Sequence, residues 1–174
     1  MSGIEIYTLG RANLSYEKFM DILQIFEIKI VVDIRRDPDS DKEPSFRIDW
    51  LRTGILNKEK VYHMAAMQLG GLRSAVGNSR HTALEDEILR GYADFMETDN
   101  FQRGIVKLIR LASEPLLLLG DDANPKKCHR SLLADALLLH NVHVKHILDN
   151  DHIAEHVLNP RANVEDRYII YNAT

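Results

Sequence analysis

A single cysteine, Cys128, stands among 174 residues, so an internal disulfide is excluded and the fold must rest on a hydrophobic core. Such sparing use of cysteine fits a reducing compartment, and a cytoplasmic protein is the expectation. No apolar stretch approaches the roughly 18 residues of a membrane span, and the start of the chain lacks the basic-then-apolar pattern of a secretion signal. No membrane partner is expected. Strong charge of either sign is missing as well: the formal net charge is -4, which argues against a general nucleic-acid coat while leaving room for a local basic patch. Glycine fingerprints are absent too. Neither G-x-x-x-x-G-K-[ST] nor G-x-G-x-x-G occurs, and there is no G-x-S-x-G elbow, so an ATPase, a Rossmann dehydrogenase and a serine hydrolase all lack support.

What is present is an ordinary globular composition, 45% apolar and 28% charged, in a length suited to one domain over residues 1–174. Ile4 to Leu9 alternates like a strand and stops at Gly10. Ser15 caps a helix that places Phe19, Ile22, Leu23 and Phe26 on one face, and Ile28 to Ile34 reads as a buried strand. Strand, helix and strand within about 30 residues make a βαβ unit, hence a parallel pair. Residues 37–48 read as loop. A short helix over 49–56 and a weaker strand over 61–65 follow, and 70–80, with three glycines, is the least ordered part. The pattern from 83 to 113 is two helices broken near Asp99-Asn100. Leu116 to Leu119 is a strand, residues 125–141 a helix and 142–148 another strand. The tail is polar, with a final apolar run at Tyr168 to Tyr171. Alternating strands and helices predict an α/β domain, its mainly parallel sheet flanked by helices.

The most informative stretch joins the four-leucine strand to the next helix through Gly120-Asp-Asp-Ala-Asn-Pro-Lys-Lys-Cys-His-Arg-Ser131. Asn124 is a favoured N-cap and Pro125 a favoured first helical residue, which predicts a first turn carrying Lys126, Lys127, Cys128, His129 and Arg130. Free N–H groups, the helix dipole and these cations together make an anion site, and they would hold a thiol as thiolate. Cys128 is then a candidate nucleophile, or else a small apolar residue packed with Leu132 and Ala136. His129 is a candidate acid–base group, and Arg130 with Ser131 candidate ligand-binding residues. Asp33 ends a buried strand near the carboxyl edge of the sheet, where open α/β sheets bind ligands. It is either a base or the partner of a buried arginine such as Arg35 or Arg130. His152-Ile-Ala-Glu-His156 matches an inverted zinc-peptidase pattern, but its flanks read as a turn rather than the long helix such a site needs. His143 and His146, three apart on a strand, point to opposite faces and cannot share an ion.

At these residues the chain resembles the domain-of-unknown-function family numbered four hundred and eighty-eight, a group of prokaryotic proteins. The likeness runs through Thr8-Leu-Gly10, Val32-Asp-Ile-Arg35, Pro38, Phe46, Leu69-Gly-Gly71 and Gly91 to Met96. It continues at Cys128-His-Arg-Ser-Leu-Leu-Ala-Asp135, His146-Ile-Leu, Glu155-His156 and Pro160. Two departures stand out. Arg11-Ala12 replaces the family's usual His-Ser, and Gly120 replaces a second cysteine, so mechanisms needing two thiols are not expected. The matching of Glu155-His156 accounts for the peptidase-like pattern without a peptidase. A fainter topological likeness connects the chain to rhodanese and cysteine-phosphatase domains, whose nucleophilic cysteine would fall at Gly120. No established reaction comes with the resemblance.

The sequence thus predicts a protein that binds a phosphate-bearing ligand, a nucleotide or nucleic acid, at the helix entrance after the four-leucine strand. Arg130, Ser131, Arg35, Arg11, Arg73, Tyr92 and His156 are the candidate ligand-binding residues. Cys128, His129 and Asp33 would carry any catalysis, with Arg35 and Asp33 as the opposite wall and residues 70–80 as a closing loop. Two rivals stand beside this: a non-catalytic binding or interaction module, and a metal-dependent hydrolase built on His129, His156 and Asp33. No particular cofactor or metal is named by the residues.

Overall fold

Four consecutive leucines form the centre of the molecule, and their period explains its layers. In the computed structural model, which describes residues 3–173, Leu116 to Gly120 is strand β4 of a six-stranded sheet. Leu116 and Leu118 face one core and Leu117 and Leu119 the other, as expected where a strand is covered on both sides. Around it lie β1 (Glu5–Gly10), β2 (Ile30–Asp33), β3 (Tyr62–Ala65), β5 (His143–Asp149) and β6 (His152–Glu155). Their order is β3-β2-β4-β1-β5-β6, parallel throughout except for the edge pair β5–β6. A second, two-stranded sheet pairs β7 (Ala162–Glu165) with β8 (Tyr168–Tyr171). The mixed α/β class is as the sequence predicts, whereas a rhodanese-like topology does not follow from this order.

The direction of each crossover assigns the helices to faces. The chain moves outward from β1 through β2 to β3, so helices α1 (Tyr16–Ile25) and α2 (Ile48–Glu59) share one face. There Phe19, Ile22, Leu23, Leu51 and Ile55 pack against Leu117 and Leu119. It then returns through β4 to β5, placing α3 (Glu87–Met96), α4 (Asp99–Leu111) and α5 (His129–Leu138) on the other face. Tyr92, Phe101, Ile105, Leu133 and Leu137 pack there against Leu116 and Leu118. The reversal falls between β4 and β1, the place where open α/β sheets usually leave a crevice for ligands.

Here that crevice is filled by the protein itself. The N–H groups of Arg11 and Ala12 donate to the carbonyls of Gly120 and Asp121, each at 2.8 Å, which stitches the loop after β4 across the end of β1. Gly10 permits this approach, because a Cβ there would lie 2.0 Å from the Asp122 carbonyl oxygen. Gly10→Ala must therefore displace backbone, and a loss of about 1–3 kcal/mol is expected in chemical denaturation. A variant as stable as the parent would show that the loop is not held there.

Two differences from the sequence reading bear on the site. The helix expected over 125–141 is divided: Asn124 Oδ1 accepts the Lys126 N–H at 3.0 Å and caps only a 3-10 turn over Pro125–Lys127. Cys128 is then extended, at φ -123° and ψ 142°, and α5 starts at His129. Lys126 and Lys127 therefore precede the helix rather than ride on its first turn. The other difference is His152–Glu155, expected as a turn, which forms the antiparallel edge strand β6.

Candidate functional site

Arg130 is the largest fully buried side chain, with 0% relative exposure. Its Nε donates to Thr8 Oγ1 at 3.2 Å, one terminal nitrogen to the Asp122 carbonyl, and the other to the Ala123 carbonyl at 3.1 Å. All three acceptors are neutral oxygens, so the guanidinium charge is hydrogen-bonded but not neutralised. This side chain adds to the backbone bonds from Arg11 and Ala12 in holding the loop that closes the crevice.

Cys128 and His129 are buried equally, at 1% and 0%. His129 Nε2 lies 2.8 Å from the Ile34 carbonyl, which makes it the N–H, and Nδ1 faces Cys128 Sγ at 3.7 Å. Burial alone would raise the thiol pKa. The adjoining His129 imidazole and then the Arg130 guanidinium outweigh it, and the thiol is pulled down to about 6. The entrance expected to be open is sealed. A Cβ on Gly71 would fall 2.1 Å from His129 Nδ1, so the chain near the start of the 70–80 loop lies directly against the ring, and Tyr92 packs on it with ring centroids 4.9 Å apart.

The other candidate residues are engaged elsewhere. Asp33 and Arg35 form a bidentate pair, Nε–Oδ1 2.9 Å and Nη2–Oδ2 2.7 Å, in which Arg35 also donates to the Phe46 carbonyl and to Asp41. His63 Nε2 lies 3.0 Å from Asp33 Oδ2. Burial opposes ionisation of this carboxyl, but Arg35 and His63 hold it below its usual range. This is the internal-pair alternative, and it anchors the loop of residues 37–48 instead of forming the wall of a cleft. Arg11 also clamps that loop, through two bonds to Asp41, and stacks 3.8 Å from the Phe46 ring centroid. Arg73 lies over Phe95 and donates to the Gln68 carbonyl. Of the candidate ligand-binding set, Ser131 and His156 line a sizeable recess.

That recess, a cavity of about 600 Å³, lies between α5 and the β5–β6 edge. Lys126, Ser131, Asp135, His146, Glu155 and His156 contribute its polar lining. One wall is a continuous hydrogen-bond chain. The Asp135 carboxylate accepts from the Tyr171 hydroxyl at 2.8 Å, from the Asn159 N–H at 3.1 Å and from His156 Nε2 at 2.8 Å. His156 Nδ1 then faces His146 Nε2 at 2.9 Å, and His146 Nδ1 lies 2.6 Å from Thr8 Oγ1. Thr8 joins this chain to Arg130. His146 is kept neutral by burial, by His156 and by Arg130, its pKa pulled down to about 3.

Asp135, Thr8 and His146 fall within the motifs that carry the family resemblance but are not among the candidate site residues read from the sequence. The signal for Asp135 was a lone carboxylate within Leu132-Leu-Ala-Asp-Ala-Leu-Leu138, a position that must bury an anion and so must have partners. His146 was set aside because His143 faces the other way. The partner it does have, His156, comes from an antiparallel neighbour that only the fold reveals.

Another cluster, His81, Asp94 and Glu97, brings three ligand-type atoms together. The Tyr171 N–H donates to His81 Nδ1 at 3.2 Å, so the imidazole proton sits on Nε2 and points to Glu97 Oε1 at 3.0 Å. With no lone pair directed at the carboxylates, this cluster is a clamp between α3 and β8 rather than a metal centre.

An α/β domain with a buried basic helix entrance and a side cavity is therefore the class that fold and site define. The chain belongs to the family described as Domain of unknown function DUF488, whose model matches residues 15–137. That match spans α1 through most of α5 and includes Cys128 to Asp135, while His146 and His156 lie beyond it. No curated protein and no solved structure matches the chain.

Cys128 provides the check on this electrostatic picture. Its thiolate absorbance is expected to titrate with a midpoint near pH 6 and to vanish in Cys128→Ser; a midpoint at the ordinary thiol value of about 8.5 would refute the pairing with His129.

Proposed function

We propose that the protein binds a small phosphate-bearing ligand, and that it does so in the cavity beside α5 rather than in front of Cys128. The observation that carries this reading is the 600 Å³ recess at the start of α5, lined by Lys126, Ser131 and His156. Lys126 is exposed and supplies a mobile cation at its rim. Behind the wall, Arg130 carries a positive charge that forms no ion pair with a carboxylate among the described residues, close enough to depress His146. Ser131 offers a hydroxyl whose present acceptor is the Cys128 carbonyl at 2.9 Å. These are the elements from which phosphate sites are built, although Asp135 and Glu155 limit how much negative charge the cavity accepts.

A compact ligand fits better than nucleic acid. The basic surface that nucleic acid would need around residues 73–80 and 126–130 is interrupted: Arg130 is buried, Arg73 is stacked on Phe95, and Arg80 is bonded to Glu97 and Glu165. Thiol chemistry is not needed either. Cys128 has no room beside it for a substrate atom, which favours binding without covalent catalysis.

A thermal-shift series with inorganic phosphate and nucleoside monophosphates, in the presence of EDTA, tests the reading. Ligand at about a hundred times its Kd stabilises the fold by about 2.7 kcal/mol, a shift of several degrees at this chain length. Lys126→Ala is expected to keep the parent's own melting temperature and to lose most of that shift. If no phosphate compound moves the parent, or if Lys126→Ala responds equally, the reading fails.

A further inference from the structure

The pair of rings in the cavity wall has a geometry that a plain hydrogen bond does not require. His146 Nε2 and His156 Nδ1 face each other at 2.9 Å, with the ring planes nearly perpendicular at 87°. Each ring's far nitrogen is engaged: His156 Nε2 with Asp135 Oδ1 at 2.8 Å, His146 Nδ1 with Thr8 Oγ1 at 2.6 Å. Each oxygen partner is itself fixed. Tyr171 and the Asn159 N–H hold the carboxylate, and Arg130 holds the hydroxyl.

The carboxylate determines where the His156 proton sits. It only accepts, so a neutral His156 carries its proton on Nε2 and aims a lone pair from Nδ1 at His146. Either His146 answers with Nε2–H, or it turns its own proton toward Thr8 and presents a second lone pair. In the second state two neutral imidazoles present lone pairs to one position, which a cation can occupy. An outer oxygen behind each histidine is the arrangement that orients metal-binding imidazoles, the carboxylate behind His156 above all.

We infer that His146 Nε2 and His156 Nδ1 form a two-histidine site for a divalent transition ion such as zinc, open to the cavity on its remaining positions. Neutral imidazole suits zinc, nickel and copper better than magnesium or calcium. A tetrahedral zinc with Zn–N bonds of about 2.0–2.1 Å needs the two nitrogens about 3.3 Å apart, so the rings need to part only slightly. His156 directly follows β6, the edge strand of the sheet. The cavity leaves space for the other ligands, water or a phosphate oxygen. This deepens the proposed phosphate site and rests on that reading only for what fills the open positions; the ion itself requires no phosphate.

Metal titration of the purified full chain in phosphate-free buffer tests the site, with zinc measured by competition against a chromophoric chelator and cobalt by its d–d absorption. The parent is expected to take one tightly held ion per chain, with cobalt bands of a site bearing nitrogen ligands. His156→Gln and His146→Gln, each checked for folding by circular dichroism, are expected to weaken zinc binding by more than about a hundredfold. That exceeds the 10–100-fold usual for loss of an outer-shell partner. His152→Ala, which removes the exposed histidine next to Asp149 and Asp151, is expected to change nothing. A parent that takes no ion overturns the site, as does binding that survives in both glutamine variants or disappears in His152→Ala. Because the phosphate series is run with EDTA, a phosphate response without zinc binding would sink this inference and leave the phosphate reading standing. The converse pair of results would do the opposite.

Discussion

A buried guanidinium with only neutral oxygens for partners is the constraint around which this molecule is arranged. Arg130 reaches back from the first turn of α5 to the loop that crosses the end of β1, and sideways to Thr8 within that strand. Removing such a charge from water is costly unless every donor is satisfied and the surroundings remain polar. Several features of the neighbourhood follow. The loop presents two carbonyls, the Cys128 thiol is drawn toward ionisation, and His146 is held neutral. The same charge adds positive potential to the recess beside it.

The location of the candidate recess is a consequence. In an open α/β sheet the crevice at the reversal of strand order is the ordinary ligand site. Here the loop after β4 fills it, and the antiparallel edge strand with the segment that follows it encloses a different space next to α5. Asp135 links these parts, since its carboxylate receives donors from the segment after β6 and from β8. The polar wall of the cavity and the attachment of the C-terminal strands are therefore one structure.

Much of the fold could be read from residue order, because the period of apolar residues reports burial directly. The Leu116–Leu119 run, the βαβ opening and the break near Asp99 lie where periodicity places them. The site was legible only in part. The motif from Cys128 to Arg130 is where the sequence points, but whether a cationic helix start faces solvent depends on what lies across from it. In this case that is Gly71, Gly10 and the 121–123 carbonyls, none of which carries a local signal. Asn124-Pro125 does begin a helical turn, yet the extended backbone at Cys128 divides it from α5. His156 was recognised through a pattern whose chemistry does not apply, and its partners come from α5 and β5, a juxtaposition that sequence spacing cannot convey.

Arg130 acts as a structural cation rather than a hand extended to ligand, and Arg130→Met separates these roles directly by equilibrium denaturation. The substitution keeps much of the side-chain volume and leaves Thr8, Asp122 and Ala123 with unmatched acceptors, at about 1–3 kcal/mol for each group that water does not reach. A stability loss of about 3 kcal/mol or more is the predicted result. A variant as stable as the parent that no longer responds to phosphate would contradict it, and would return Arg130 to the ligand.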